Sequence, residues 1–268
     1  MTVSLPSYRI TPLQVQPHRS GWSEWSDLAG ARNLRYEVLE MSLLPALSDE
    51  KTASEYKEWY LKSSRVTSVH GVFIDVNPAS GDPDIRAVSR KRCHESCRLA
   101  SELNARNVVF HSSCFPFLRG AYLDGWAGRC AEFYEELAET YSVNLFIENS
   151  PDVDAEPLKE LMKRTSHPRI GVCLDFGHAH YSRISIEEWF DALADRIGYL
   201  HLSDNTGSYD THLPLGRGTV DWAAADSLWR SLGRQMPVTV EMPTPQDAAD
   251  SIQFLEEHEY FRAFDSGL

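Results

Sequence analysis

Several features that mark particular classes of protein are absent from this chain of 268 residues. No apolar run approaches the roughly 20 residues that a membrane-spanning helix needs. The N-terminal stretch MTVSLPSYRITPLQVQ lacks the basic region and the apolar core of a secretory signal. No Gly-x-Gly-x-x-Gly turn follows any predicted strand, which argues against a dinucleotide-binding fold. We therefore expect a protein that is neither membrane-bound nor exported.

The chain also has fewer positively charged than negatively charged residues. The chain has 26 Lys and Arg residues against 39 Asp and Glu residues, which gives a formal net charge of −13. This balance disfavours broad electrostatic attraction to nucleic acid or to an anionic membrane. The net charge does not exclude such binding, because bound divalent cations would offset the charge of several carboxylates.

The cysteines do not form a disulfide framework. Their number is odd and their spacing is irregular: Cys93, Cys97, Cys114, Cys130 and Cys173. This usage is typical of a reducing compartment, and we expect a cytoplasmic protein.

What the chain does contain is a repeated alternation of strand-like and helix-like segments. Predicted strands fall at residues 66–73, 107–113, 143–149, 169–176, 197–204 and 237–242, with amphipathic helical patterns between them. Near-continuous apolar strands separated by such helices indicate a parallel sheet covered by helices. Weaker strand signals at 8–15 and 34–41 bring the total to eight units. The fold prediction is α/β: one domain over residues 1–268, a single (β/α)8 TIM barrel with outer helices. An open doubly wound sheet is the alternative.

The residues that end the predicted strands carry the functional signal. Six consecutive strands end near a side chain that can bind metal: His70, His111, Glu148, Asp175, His201 and Glu241. In a barrel the carboxyl ends of the strands converge on one mouth, so these side chains become neighbours. One such histidine or carboxylate is ordinarily a packing or solvated residue. Six at equivalent positions predict a divalent metal centre, and His with carboxylate ligands suits Zn, Mn, Mg or Co.

Loops after two of these strands add further candidates. His178 follows Asp175 by three positions, and Asp210 and His212 lie in the Gly-punctuated loop after residues 197–204. Arg217 lies between two glycines, where it could reach an anionic substrate group or be an ordinary solvated arginine.

The strand ends and loops together resemble a known superfamily. The segments that carry the resemblance are VVFH, LFIEN, GVCLDFGHA, YLHLSDN and DTHLPLGRGTVDW. Over roughly residues 34–245 the chain resembles the xylose-isomerase-like TIM-barrel superfamily, which includes sugar (phosphate) isomerases and epimerases and the type IV apurinic/apyrimidinic endonucleases. The ordered combination of segments is specific at the level of the superfamily, whereas no single segment is.

Two ligand patterns of that superfamily overlay on this chain. The epimerase-type pattern holds one divalent ion, and its ligands match Glu148, Asp175, His201 and Glu241. In that family the two glutamates also form the acid/base pair. The endonuclease-type pattern is a three-zinc cluster in which Glu148 would bridge two metals. Its nine ligands match His70, His111, Glu148, Asp175, His178, His201, Asp210, His212 and Glu241.

Three features favour the isomerase or epimerase over the nuclease. The excess of acidic residues favours a small sugar or sugar phosphate as the substrate over a DNA duplex, because proteins bind the phosphates of a duplex through Lys and Arg. The loops look short and poor in the basic or intercalating side chains that base flipping requires. Ser112 and Ser113 stand where the nuclease pattern usually has Pro-Gly.

The expected reaction is proton transfer through an enediolate. The ion would chelate carbonyl and hydroxyl oxygens, while one of Glu148 and Glu241 removes a proton and the other returns it. His178 would position a substrate oxygen or bind a second metal. The alternatives are a three-zinc phosphodiesterase and a barrel that binds sugar or metal without turnover.

Overall fold

Eight parallel strands form a closed barrel in this protein. The structure is a computed structural model and describes residues 13–18 and 21–262. Each strand pairs with the next one along the chain, and the eighth pairs back with the first. The strands are β1 Leu13–Val15, β2 Arg35–Leu39, β3 Val66–His70, β4 Asn107–His111, β5 Asn144–Glu148, β6 Ile170–Asp175, β7 Ile197–Leu202 and β8 Val238–Val240. The predicted barrel is confirmed; residues 8–12 of the predicted first strand lie outside the described residues.

Helices cover the outside of the barrel. They are α1 Trp22–Arg32, α2 Glu40–Leu47, α3 Glu50–Ser63, α4 Pro83–Glu102, α5 Ala121–Tyr141, α6 Glu156–Arg164, α7 Phe176–Tyr181, α8 Ile186–Leu193, α9 Trp222–Ser231 and α10 Pro245–His258. The sequence pattern did not indicate α1 or α2. The sequence pattern predicts the helix after β4 over residues 126–141, whereas α5 begins five residues earlier, at Ala121.

The helix α5 shows how these elements attach to the sheet. Leu123, Trp126, Ala127, Cys130 and Tyr134 follow the spacing of one helix face, and all are buried. Burying a large apolar side chain contributes about 1.5–3 kcal/mol, so this face alone fixes the helix against the barrel. The other cysteines are buried as free thiols too. No helix in the described part of the chain is long and apolar enough to cross a membrane.

The strand register sets the positions of the site residues. His111 lies beside Glu148, and Asp175 lies beside His201, as Cα partners in neighbouring strands. Both pairs stand at the carboxyl ends of their strands. The barrel therefore delivers these side chains to one mouth, as the sequence pattern predicts.

Candidate metal centre

One buried carboxylate lies among four histidines at the mouth of the barrel. Glu148 Oε2 lies 3.2 Å from His70 Nε2 and 3.4 Å from His111 Nε2. Its other oxygen, Oε1, lies 3.1 Å from His178 Nδ1 and 3.5 Å from His201 Nδ1. Glu148 thus presents one oxygen to each of two pairs of histidines, which is the geometry of a carboxylate that can bridge two sites.

Four side chains at this mouth form a compact donor set. One ligand atom from each of Glu148, Asp175, His201 and Glu241 lies within 4.8 Å of the others. All four are buried. The sequence analysis selected the same four as the ligands of a single ion, and the structure brings them together.

Several potential metal-binding atoms of this set and of the neighbouring His178 lack a hydrogen-bond partner. They are Glu148 Oε1, Asp175 Oδ2, His178 Nδ1 and His201 Nδ1, all of them buried. The two ring nitrogens lie close to the Glu148 oxygen but are not oriented to bond it. Buried polar atoms without partners are costly, by about 1–3 kcal/mol each. A divalent cation would bind several of these oxygen and nitrogen atoms together, so the residues present fit a divalent metal ion.

The DFGH segment explains how Asp175 and His178 meet. Asp175 ends β6 and caps the helix α7, and its Oδ1 accepts a hydrogen bond from the backbone N–H of His178 at 2.6 Å. The second carboxylate oxygen is left for the site. A Cβ at Gly177 would lie 2.2 Å from Ser203 Oγ, so only glycine lets α7 approach the end of β7 this closely.

Asp210 and His212 also face this cluster. Asp210 Oδ2 lies 2.9 Å from His212 Nε2 and 3.3 Å from His178 Nε2. His212 Nδ1 donates to the backbone carbonyl of Glu241 over 3.1 Å. All nine side chains of the endonuclease-type pattern therefore gather at one mouth.

The loop that carries Asp210 and His212 is long. It runs from Ser203 to Asp221, between β7 and α9. The expectation of short loops is wrong here. Phe115 and Tyr209, on the loops after β4 and β7, are 71% and 67% exposed, and the expectation of few intercalating side chains stays a prediction.

A cavity of about 340 Å³ opens at the mouth. Its walls include apolar side chains such as Leu39, Phe73 and Met242 and seven side chains of the cluster: His70, His111, Glu148, His178, Asp210, His212 and Glu241. His18 also lines it. Arg217 is exposed and does not line this cavity, so its predicted role in binding substrate stays a prediction.

The two glutamates have pKa values shifted in opposite directions. Burial raises the pKa of Glu241 to about 7, against the lowering effect of His201. Burial alone would also raise the pKa of Glu148, but the charges of His111 and His201 hold it well below its usual value. Paired carboxyl groups whose pKa values are pushed apart are suited to opposite roles in proton transfer.

Sequence analysis missed Glu37, a buried carboxylate in the middle of β2. Its Oε1 lies 3.2 Å from His201 Nε2. Tyr36 and Val38 on either side belong to the apolar core, so Glu37 points to the opposite face, into the barrel. A glutamate within an otherwise apolar strand was the available signal, because an ionisable side chain is rarely buried without a partner.

A closed barrel of eight βα units with a His and carboxylate cluster at its carboxyl-end mouth defines a class of barrel enzymes. The chain belongs to the xylose isomerase-like TIM barrel family, whose model matches residues 30–258. The resemblance seen in the sequence is thereby confirmed.

Similar proteins carry the names of both kinds of enzyme. A probable endonuclease 4 of Thermoplasma acidophilum is 28% identical over 74% of this chain and 75% of its own length. A D-tagatose 3-epimerase-like protein has a similar structure, with a TM-score of 0.76, 23% identity and coverage of 92% of this chain and 97% of that one. The protein TTHB071 from Thermus thermophilus, soaked with ZnCl2, has a TM-score of 0.71, 27% identity and the same two coverages.

Proposed function

We propose that this protein is a divalent-metal-dependent isomerase or epimerase of a sugar or sugar phosphate. The observation that carries the proposal is the pairing of Glu148 and Glu241 within one buried donor set at the wall of a small cavity. The similarity of the fold to sugar epimerases supports it. The cavity volume of about 340 Å³ is at the lower end of the roughly 300–1,000 Å³ usual for small-molecule sites.

Four residues would hold the ion: Glu148, Asp175, His201 and Glu241. A bound divalent cation supplies Lewis-acid polarisation of a carbonyl oxygen, which acidifies the adjacent C–H bond. The glutamates would carry the proton: one removes it from carbon and the other returns it to the neighbouring position or the opposite face. His178 lines the same cavity and would orient a substrate hydroxyl.

The proton-transfer role is tested by neutralising one glutamate. Glu241→Gln keeps an oxygen ligand and removes the base, so we expect turnover of accepted ketoses to fall by about 10²–10⁴-fold with metal still bound. The exposed Glu187 provides the matched control Glu187→Gln, which should retain the wild-type rate. An unchanged rate in Glu241→Gln with metal bound would show that this assignment is wrong.

A second candidate is a zinc-dependent phosphodiesterase of the endonuclease IV type. The observation that favours it is the presence of donor groups beyond one metal site: His70 and His111 at Glu148 Oε2, and Asp210 with His212. The relative in Thermoplasma acidophilum supports the same alternative. Close to three zinc ions per chain, together with incision of abasic duplex DNA, would establish it. About one ion per chain and no incision would leave the isomerase.

A further inference from the structure

Glu37 contacts His201, one of the four residues proposed to hold the ion. Both of its oxygens lie near His201 Nε2, at 3.2 and 3.3 Å. Neither residue is exposed to solvent. The opposite ring nitrogen of His201, Nδ1, lies 3.1 Å from Glu241 Oε1 and 3.5 Å from Glu148 Oε1. The imidazole therefore connects an inner carboxylate with the donor set at the mouth.

This arrangement decides which nitrogen of His201 is free to bind a cation. Of the two ring nitrogens of His201, Nε2 makes a hydrogen bond, to Glu37, whereas Nδ1 makes none. A carboxylate only accepts hydrogen bonds when ionised, so Glu37 holds the proton of His201 on Nε2. The lone pair is then on Nδ1. His70 and His212 are held in the other tautomer, because their Nδ1 atoms lie 3.0 and 3.1 Å from the backbone carbonyls of Gly71 and Glu241. His201 thus differs from these two histidines in two ways: the partner that holds its ring N–H is the carboxylate of Glu37 and not a backbone carbonyl, and the nitrogen it presents to the site is Nδ1.

The carboxylate of Glu37 is itself held by buried donors. Gln16 Nε2 donates to Glu37 Oε1 at 2.6 Å and also donates to Glu241. The hydroxyl of Tyr199 donates to Glu37 and accepts from Gln14 at 2.7 Å. These bonds fix the orientation of Glu37, and Gln16 joins it to the carboxylate proposed to transfer protons.

We propose that Glu37 is a positioning residue of the metal centre: it fixes the tautomer and ring orientation of His201 so that Nδ1 coordinates the ion. Carboxylate partners of this kind make a histidine ligand more basic, and losing one typically reduces metal affinity 10- to 100-fold. The inference rests on the metal site of the proposed function but not on the identity of the substrate.

The test measures zinc affinity by chelator competition on the full chain. Glu37→Gln should bind zinc 10- to 100-fold more weakly than wild type. The amide is uncharged, and its N–H group would face the groups of Gln16, Tyr199 and His201 that donate hydrogen bonds to Glu37. Glu40→Gln is the matched control, since Glu40 is another buried glutamate three positions along the chain. The control should bind zinc as wild type does.

A spectroscopic readout covers the case in which Glu37→Gln does not fold. In ¹⁵N NMR of zinc-loaded wild type, His201, assigned by its absence from His201→Asn, should show protonated Nε2 and zinc-bound Nδ1. Zinc bound through Nε2, or unchanged zinc affinity in Glu37→Gln, would overturn the inference while leaving the proposed function standing. A wild-type protein that binds no divalent metal would contradict the proposed function and this inference together.

Discussion

Trp222 donates its indole N–H to Asp204 over 2.9 Å, and this bond ties the two ends of the long loop after β7. Asp204 also accepts backbone N–H bonds from Gly216 at 2.9 Å and Val220 at 3.2 Å. One buried carboxylate therefore organises the return of the chain from the site to α9. Asp210 and His212 are carried between these anchor points, so their placement depends on a residue outside the cluster.

Replacing Asp204 should release this loop. Asp204→Ala leaves the indole and three backbone N–H groups, those of Asn205, Gly216 and Val220, without their acceptor. Because each such group costs about 1–3 kcal/mol, we expect the free energy of unfolding to fall by about 4 kcal/mol or more in urea titrations. Trp222→Phe removes a single donor and should cost about 1 kcal/mol. Equal stability of Asp204→Ala and wild type would contradict this account of the loop.

Gly218 should be intolerant of any side chain. A Cβ there would lie 2.1 Å from Asp204 Oδ1 and 2.3 Å from the backbone oxygen of Asn205. Gly218→Ala should therefore destabilise the fold by more than about 2 kcal/mol, since the anchor must shift. Gly128→Ala is the control: nothing lies within 4 Å of its Cβ position in α5, and Ala favours a helix by up to about 1 kcal/mol. Thermal unfolding of both variants checks the contrast.

Asp152 should make stability depend on pH. Burial raises its pKa to about 8, against about 3.9 in an unfolded chain. Between these values the folded protein holds a proton that the unfolded chain has released, so this contribution to stability is complete below about pH 4 and is lost as pH rises towards 8.

Asp152→Asn removes this dependence. From pH 5 to pH 8 the wild type should lose on the order of 3 kcal/mol more stability than the variant. The exposed Asp191 supplies the control Asp191→Asn, which should follow wild type. Parallel pH profiles for wild type and Asp152→Asn, from urea unfolding at several pH values, would refute the prediction.

The cavity should prefer a free sugar to a sugar phosphate. Among the described residues that line it, none is Lys or Arg, whereas Glu148, Asp210 and Glu241 all face it. A phosphate group would find no lysine or arginine side chain there, and charge-assisted hydrogen bonds from such side chains are what usually bind phosphate. We expect kcat/KM for a free ketohexose to exceed that for its 6-phosphate at least tenfold, with the 6-deoxy sugar as an uncharged control. A higher value for the phosphate would contradict this.

The strand ends could be predicted from sequence because a parallel barrel brings them together whatever the loops do. His111 beside Glu148 follows from strand order and register alone. The helix α2 was missed because its sequence, EMSLLPAL, has little polar face and contains Pro45. Glu37 was missed because the role of a buried carboxylate depends on its partner across the barrel, 164 positions away. No local sequence pattern indicates a contact between residues so far apart in the chain.

The placement of the loop residues was harder still. Asp210 and His212 were selected as ligand types in a loop, but only the folded anchor at Asp204 shows that they face the cluster. Arg217 lies on the same loop and is exposed. Composition and spacing treat these three residues alike, whereas the path of the backbone separates them.

The central claim is that the barrel mouth transfers protons to and from carbon with a divalent ion bound. In the most direct test, metal-loaded protein is incubated with ketoses in D2O, and the deuterium content of the recovered sugar is measured by mass spectrometry. We expect one deuterium per turnover next to the carbonyl, lost after chelation and in Glu241→Gln. No deuterium in any ketose, with three zinc ions bound and abasic DNA incised, would contradict the claim and establish the phosphodiesterase.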